Sequence, residues 1–261
     1  MPRAPDGTAY ERHGEGPPVV LVHGLGLSRA MWRDHRPALA KRHEILAYDL
    51  HGHGDSAPVP AGETPTLSLF AEQIARLMDH VGWEAAHVVG FSIGGMINRR
   101  FARDHAARTR SLAILNSPHD RGEAGQRAVE ERARAVREGG AMATFDEALK
   151  RWFTAEHLAA GDGPARVRAW REQVDAESYA ATAWVLAHGV RELIGAPLAV
   201  PTLVMTCEND TGSTPAMSEA IAAEIEASRL VVVPRLRHLG LMEEPALFTA
   251  PLTDFLRRND P

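Results

Sequence analysis

The chain contains very little cysteine. Cys207 is the single cysteine among 261 residues, so no intramolecular disulfide framework can form, and such scarcity is typical of a reducing compartment. No apolar stretch approaches the length that crosses a membrane, and the segment from Met1 to Gly7 lacks the apolar core of a secretory signal. These absences lead us to expect a cytoplasmic protein with no membrane partner.

An excess of positive charge is also missing. The chain has 29 lysines and arginines against 34 acidic residues, a formal net charge of -5, so we expect no nucleic-acid partner. Hydrophobic residues make up 44% and charged residues 24%, which is ordinary for a globular protein. A length of 261 residues suits either one α/β domain with an insertion or two small domains.

What the chain does contain is an apolar run that leads into a glycine-flanked serine. Val88 and Val89 read as a buried strand, Ser92 lies between Gly90 and Gly94, and a helical pattern begins directly afterwards. This is the G-x-S-x-G pattern of a nucleophile elbow, in which a strained turn presents the serine hydroxyl above a sheet. Glycine is needed because side chains at the flanking positions would collide. An ordinary glycine-bounded turn has the same short pattern, so the interpretation depends on partners elsewhere.

Predicted strands and helices alternate along much of the chain. Apolar runs indicate strands at residues 19–22, 44–49, 112–116, 201–206 and 230–233, with a short first strand at 8–11. Helical spacing is clearest over residues 67–81. Alternation of this kind predicts a mostly parallel sheet with helices on both faces. It stops at residue 121, and we predict an α/β core of residues 1–120 and 199–261 with a helical cap segment, residues 121–198, inserted in it.

A serine nucleophile needs a base, and the base needs a group that orients it. In a parallel sheet such groups come from loops at the carboxyl ends of the strands. His238 follows the last predicted strand and Asp210 follows the strand before it. The chain order Ser92, Asp210, His238 is the one expected for a hydrolase of this architecture. These three residues are therefore our candidates for a catalytic triad.

Other polar residues at the same edge leave alternatives open. Glu208 and Asp120 are alternative acids, and His119 is the alternative base. Histidines that alternate near an aspartate can bind zinc or iron. The residues that would form such a metal site are His23, Asp49, His51 and His53. Because the candidate triad already explains the polar residues at this edge of the sheet, we expect no metal.

The oxyanion formed during serine attack needs two backbone N–H donors. Ile93, directly after the serine at a helix N-terminus, supplies one, and Leu25, after the strand at 19–22, is placed for the other. The segment from His23 to Gly26 has two alternative readings, a plain glycine turn and a phosphate loop. A dinucleotide site is not expected, because Arg29 stands where the third glycine of G-x-G-x-x-G would be.

Taken together, these motifs resemble the α/β-hydrolase fold family over nearly the whole chain. The resemblance lies in residues 22–26, 48–56 and 90–95 and in the loops that hold Asp210 and His238. It implies a mostly parallel sheet of eight strands, a Ser-Asp-His triad, no cofactor and a cap over the site. Residues 2–18 leave little room for the opening hairpin of the family, so the first strand is expected to be short or missing.

Within that family, the cap segment resembles 3-oxoadipate enol-lactonases, which open a five-membered enol lactone that bears a carboxylate. The similar stretches are residues 136–140, 149–154 and 178–181, together with 94–96. The expected function is hydrolysis of a small carboxylic ester or enol lactone through an acyl-enzyme. Two alternatives remain: hydrolysis of a carbon–carbon bond in a β-diketone or ring-cleavage product, and a non-catalytic binding protein of the same fold.

Three residues of the cap segment are predicted to contact the substrate: Trp152, Trp184 and Arg151. A substrate carboxylate would require a cation to pair with it. The candidates for that cation are Arg137, Arg151, Arg168 and Arg191. The expected partner is a small ester or lactone, and the sequence leaves the formation of a homodimer open.

Overall fold

The computed structural model describes residues 1–60 and 62–261. In this part of the chain, one sheet has the strand order β1-β3-β2-β4-β5-β6-β7. Its strands are β1 (Tyr10–His13), β2 (Pro18–Val22), β3 (Glu44–Tyr48), β4 (Ala86–Phe91), β5 (Thr109–Leu115), β6 (Thr202–Cys207) and β7 (Ser228–Val233). Strand β1 is antiparallel to β3, and every other pairing is parallel. The predicted mostly parallel α/β sheet is confirmed.

The start of the sheet differs from the family expectation of eight strands. The described residues form seven, and the first of them begins at Tyr10 rather than at residue 8. Ahead of β1 the chain makes only an isolated antiparallel bridge between Arg3 and Ala9. Between these two residues the chain turns, with a hydrogen bond from Gly7 N to Ala4 O and with Gly7 at a φ of +82°. The described residues therefore form one strand fewer than the eight that the resemblance implied.

Helices cover both faces of the sheet and fill the interval between β5 and β6. The α helices are α1 (Arg36–Leu39), α2 (Leu67–Val81), α3 (Ile93–Asp104), α4 (Gly122–Gly139), α5 (Phe145–Trp152), α6 (Ala155–Ala160), α7 (Gly163–Glu172), α8 (Ala176–His188), α9 (Pro215–Ala223), α10 (Gly240–Glu243) and α11 (Pro245–Arg258). The expected helix at 67–81 is α2, which begins after Thr66, whose hydroxyl accepts a hydrogen bond from Leu69 N. No helix among the described residues is long and apolar enough to span a bilayer.

The core is divided by the sheet into two layers. Alternate side chains of β2 point to opposite faces: Val20 and Val22 join the layer of α2 and α3, whereas Val19 and Leu21 join the layer of α11. A strand buried on both faces reads as a continuous apolar run, which is why the sequence pattern located it. This burial holds the carboxyl ends of the strands in a fixed row, and the site lies along that row.

Five α helices, α4 to α8, lie between β5 and β6, where the alternation was predicted to stop. Helices α4 and α8 pack together through a small apolar cluster of their own, with Val129 and Ala133 on one helix and Tyr179 and Ala183 on the other. The treatment of residues 121–198 as a separate cap segment on a core remains a prediction.

Candidate active site

Ser92 occupies the sharp turn between β4 and α3. Its φ of 57° and ψ of -115° are strained for a residue with a side chain. The flanking glycines are required sterically: a Cβ on Gly90 would overlap the Gly94 carbonyl oxygen, and a Cβ on Gly94 would lie 2.5 Å from Val22 O. The turn therefore has the backbone geometry of a nucleophile elbow.

The three predicted triad residues form a hydrogen-bonded row at the carboxyl edge of the sheet. His238 Nδ1 lies 2.6 Å from Asp210 Oδ2, and His238 Nε2 lies 3.2 Å from Ser92 Oγ. Because the aspartate can only accept, Nδ1–H donates to it, which leaves Nε2 as the acceptor for the serine hydroxyl. All three side chains are buried. The arrangement can remove a proton from the serine hydroxyl as that oxygen attacks.

Asp210 is held as a carboxylate by four hydrogen bonds. Oδ2 accepts from His238 and from Asn116 Nδ2 at 2.9 Å, while Oδ1 accepts from the backbone N–H groups of Gly212 and Ser213, each at 2.9 Å. Burial alone would raise the pKa of this carboxyl. The interactions with His238, Asn116 and Ser213 outweigh burial, so the pKa lies below its usual value. The acid stays charged and keeps the imidazole oriented.

Asn116 is a positioning residue that the sequence analysis did not identify. It follows β5 directly, has a φ of 46° and donates its amide to Asp210. Asparagine tolerates this left-handed conformation better than most residues. The sequence did offer a signal for it: this asparagine lies at the carboxyl end of a strand, and that strand is next to the one that ends before Asp210.

The alternative acids and base are turned to other partners. Glu208 is exposed and its Oε2 accepts from the Arg235 N–H at 2.8 Å, while the exposed Asp120 accepts from Gly122 N at 2.9 Å. His119 Nε2 lies 3.1 Å from Glu224 Oε1. None of these three is in the hydrogen-bonded row that contains Ser92.

The predicted oxyanion donors lie on the two loops beside the serine. Ile93 is the first residue of α3, and Leu25 lines the cavity in front of Ser92, in a turn closed by the hydrogen bond from Leu27 N to Gly24 O. Among the described residues, neither the Leu25 nor the Ile93 N–H has an acceptor in the protein. Both donors are therefore available to a ligand, and their role as an oxyanion hole stays a prediction.

Two of the residues weighed as metal ligands, His23 and Asp49, are engaged in the structure, whereas neither ring nitrogen of the buried His51 has a hydrogen-bond partner among the described residues. His23 Nδ1 donates to Gly24 O at 2.8 Å and Nε2 accepts from Leu50 N at 2.9 Å, so no lone pair remains free. Asp49 accepts from the Arg29 backbone and guanidinium and from Asp55 N. These contacts make the cluster a support for the loop after β3. Across residues 1–60 and 62–261, no group of three or more His, Cys, Asp or Glu side chains is placed to hold a metal.

A cavity of about 120 Å³ opens onto Ser92 and His238. Trp152 and Arg151, both predicted to contact the substrate, line it, and the Trp152 ring lies 6.3 Å from that of His238. Trp184 does not line it: this side chain is 44% exposed, and its ring packs against His188 at 4.1 Å. Trp184 is on the side of α8 that points away from the cavity, and helical spacing alone did not reveal this.

The arginines proposed to pair with a substrate carboxylate differ in whether they reach the cavity. Of the four named arginines, only Arg151 lines the cavity. Arg137 stacks on Trp184, Arg168 pairs with Asp146 at 3.1 Å, and Arg191 lies 3.9 Å from Glu130.

Arg171 lines the cavity too, and the sequence analysis missed it. The signal was its position four residues after the apolar Val167 of α7 and three residues before the apolar Val174, which follows that helix. An arginine in such a stripe is unusual.

Comparison with known proteins agrees with this geometry. The model of the alpha/beta hydrolase fold family matches residues 17–245, so the chain belongs to that family. It is 28% identical to 3-oxoadipate enol-lactonase 1 of Acinetobacter baylyi, over 92% of this chain and 89% of that protein. It is 27% identical to (E)-2-((N-methylformamido)methylene)succinate hydrolase of the same organism, over 90% and 89% of the two chains.

Among solved structures, a thermophilic esterase from Thermogutta terrifontis with malate bound is similar at a TM-score of 0.86 and 29% identity. The alignment covers 97% of this chain and 94% of the esterase. The predicted family and its likeness to enol-lactonases are confirmed. An ester or lactone hydrolase fits these relatives, and hydrolysis of a carbon–carbon bond is compatible with them as well.

Proposed function

We propose that the protein is a serine hydrolase that cleaves a small carboxylic ester or lactone through an acyl-enzyme. The observation that carries the proposal is the hydrogen-bonded row of Ser92, His238 and Asp210 at the cavity. The chain itself supplies the nucleophile, the base and the orienting acid, so the reaction needs no cofactor.

In the first half of the reaction, Ser92 Oγ attacks the carbonyl carbon while His238 Nε2 takes its proton. The carbonyl oxygen becomes an oxyanion, which accepts hydrogen bonds from the N–H groups of Leu25 and Ile93. Each such donor typically contributes about 100-fold to 1000-fold in rate. Collapse of this intermediate breaks the bond to the alcohol oxygen, and His238 returns the proton to that leaving group.

In the second half, a water molecule replaces the leaving group. His238 takes a proton from the water as its oxygen attacks the acyl carbon, and the same two N–H groups stabilise the second oxyanion. The bond to Ser92 Oγ then breaks and the serine regains its proton. A lactone follows the same path, except that its leaving alcohol stays attached to the acyl group.

A fluorophosphonate probe tests the nucleophile. We expect the probe to label Ser92 in the wild-type protein at pH 8. The Ser92→Ala variant should not be labelled, and the His238→Ala variant should be labelled much more slowly than the wild type. Labelling read by intact mass does not depend on knowing the substrate. Absence of labelling in a folded wild-type protein would contradict the proposal and favour a non-catalytic binding protein.

A substrate panel separates the two enzyme readings. Initial rates on aryl acetates, enol lactones and vinylogous diketones, measured at equal concentrations, should be highest for an ester or lactone. A preference for the diketones would instead support carbon–carbon bond hydrolysis by the same residues.

A further inference from the structure

The loop that carries His238 is bound to the cap segment on both sides of the histidine. On one side, the N–H of Leu239 donates to Trp152 O at 2.8 Å. On the other side, Nη1 of Arg237 donates to Lys150 O. Both carbonyls belong to the last turn of α5, where a helix leaves its carbonyls without partners of its own. The loop therefore satisfies the end of α5 with groups that directly flank the histidine.

A carboxylate reinforces this junction. Glu243 ends α10, the helix that follows the His238 loop, and Thr154 lies between α5 and α6. Oε1 of Glu243 accepts from Thr154 N at 3.0 Å, and Oε2 accepts from the Thr154 hydroxyl at 2.5 Å. The hydroxyl must donate, because a carboxylate can only accept, and its oxygen still accepts from His157 N at 3.2 Å. Glu243 thus fixes both the backbone and the side chain of one cap residue.

The two glutamates at the end of α10 differ in their surroundings. Both hydrogen bonds that the Glu243 side chain makes within the described residues go to Thr154, and both side chains are partly buried. Glu244, the next residue, is exposed and does not cap the helix that follows it. A charge-assisted contact that is shielded from water is stronger than one in full contact with it. Glu243 is therefore the glutamate that can hold the cap segment in place.

The imidazole of His238 depends on where this loop lies. Its two nitrogens must reach Asp210 at 2.6 Å and Ser92 at 3.2 Å at the same time. Its ring centroid lies 5.0 Å from that of Phe91 and 6.3 Å from that of Trp152. Trp152 belongs to the same end of α5 that the loop binds, so a shift of α5 against the loop disturbs the surroundings of the imidazole. A displacement of about 1 Å at a reacting group can lower a rate about 100-fold.

We propose that Glu243 is a positioning residue for the reaction. By binding Thr154, it holds the end of α5 against the His238 loop and keeps the imidazole within reach of Ser92. This inference rests on the proposed serine-hydrolase function, because it assigns a support to the base. Neither Glu243 nor Thr154 is among the described residues that line the cavity in front of Ser92. The contact therefore acts on the base and leaves the substrate-binding surface unchanged.

The test compares Glu243→Ala with the wild type on one aryl acetate, with kcat expressed per site that the fluorophosphonate probe labels at completion. Counting labelled sites removes any loss of folded protein from the comparison. We expect kcat to fall about 10-fold to 100-fold and KM to change by less than about 3-fold, because the base is displaced while the cavity keeps its lining. Glu243→Gln should keep most of the activity, since its amide can accept from Thr154 N and donate to the Thr154 hydroxyl oxygen.

Glu244→Ala is the matched control, since it removes the adjacent, exposed glutamate, and its kcat and KM should equal those of the wild type. From the other side of the contact, Thr154→Val should lower kcat, whereas Thr154→Ser, which keeps the hydroxyl, should not. Adding Thr154→Val to Glu243→Ala should cause no further loss, because both changes remove one contact. A kcat per labelled site within about 2-fold of the wild type in Glu243→Ala, or a rise in KM alone, would overturn the assignment.

Amide hydrogen exchange keeps this inference separate from the catalytic proposal. In Glu243→Ala, peptides that cover residues 150–158 and 236–243 should exchange faster than in the wild type, because the junction opens more often. Glu244→Ala should leave both peptides unchanged. If the wild type neither hydrolyses esters nor reacts with the probe, the serine-hydrolase proposal fails, while the exchange still decides whether Glu243 holds the two segments together. Unchanged exchange in Glu243→Ala would contradict the positioning role.

Discussion

The carboxyl edge of the sheet and the cap segment satisfy their polar groups in opposite ways. At the sheet edge, the four hydrogen bonds to Asp210 come from the protein itself, and His238 is bonded on both sides. In the cap segment, Arg171 keeps two open donors inside the cavity. The edge is therefore organised by contacts within the protein, whereas the cap segment has buried donors without an acceptor among the described residues.

The largest expected effect comes from breaking the edge at its nucleophile. Ser92→Ala should lower kcat by about 10⁶-fold, because no other residue can form the acyl-enzyme. If the two regions act separately, the variant should keep the Tm of the wild type, since the cap segment is unchanged. Stopped assays with high enzyme concentration measure the residual rate, and a loss below 100-fold would show that Ser92 is not the nucleophile.

The second largest effect is expected at the acid. Asp210→Asn should lower kcat by about 10⁴-fold, because an amide favours the wrong imidazole tautomer. Glu208→Gln, two residues away and exposed, is the control and should leave kcat within about 2-fold. Steady-state rates on the same ester compare the two variants. Equal losses would mean that Asp210 is not the orienting acid.

Acid should destabilise the region of residues 1–120 through its buried histidines. Burial lowers the pKa of His23, His35 and His87 to about 4 and that of His53 to about 3. These groups are neutral when folded and gain protons on unfolding below about pH 6.5. The free energy of unfolding therefore has its full value above that pH. It falls as the pH drops towards 4, by about 1 kcal/mol per histidine for each pH unit.

Urea unfolding at pH 7 and pH 5.5 measures this loss. His13→Gln, which removes an exposed histidine, should leave the difference unchanged. Equal stability at the two pH values would show that the buried histidines do not control it.

The smallest effects distinguish the two tryptophans of the cap segment. Trp152 lines the cavity, so Trp152→Ala should lower kcat/KM about 10-fold through lost substrate contact. Trp184 lies outside the cavity, so Trp184→Ala should change kcat/KM by less than about 2-fold. Steady-state kinetics on one ester tests both. A larger effect of Trp184 than of Trp152 would mean that α8 presents a different face to the substrate.

The sequence by itself determined the fold class and the candidate triad. Buried parallel strands read as apolar runs, and the elbow at Ser92 requires glycine at two positions for steric reasons. Asp210 and His238 could be chosen because their loops follow consecutive strands, and parallel strands end at one edge. All of these signals are local or depend only on chain order.

The tertiary structure decided which side chains of the cap segment face the cavity and which groups support the acid. Trp184 and Arg171 lie on consecutive helices, and each follows the apolar spacing of its own helix. Only Arg171 lines the cavity. That choice depends on how α4, α7 and α8 pack against one another and over the sheet, and helical periodicity does not specify it. Asn116 became visible for the same reason: its contact with Asp210 joins residues 94 positions apart, across two neighbouring strands.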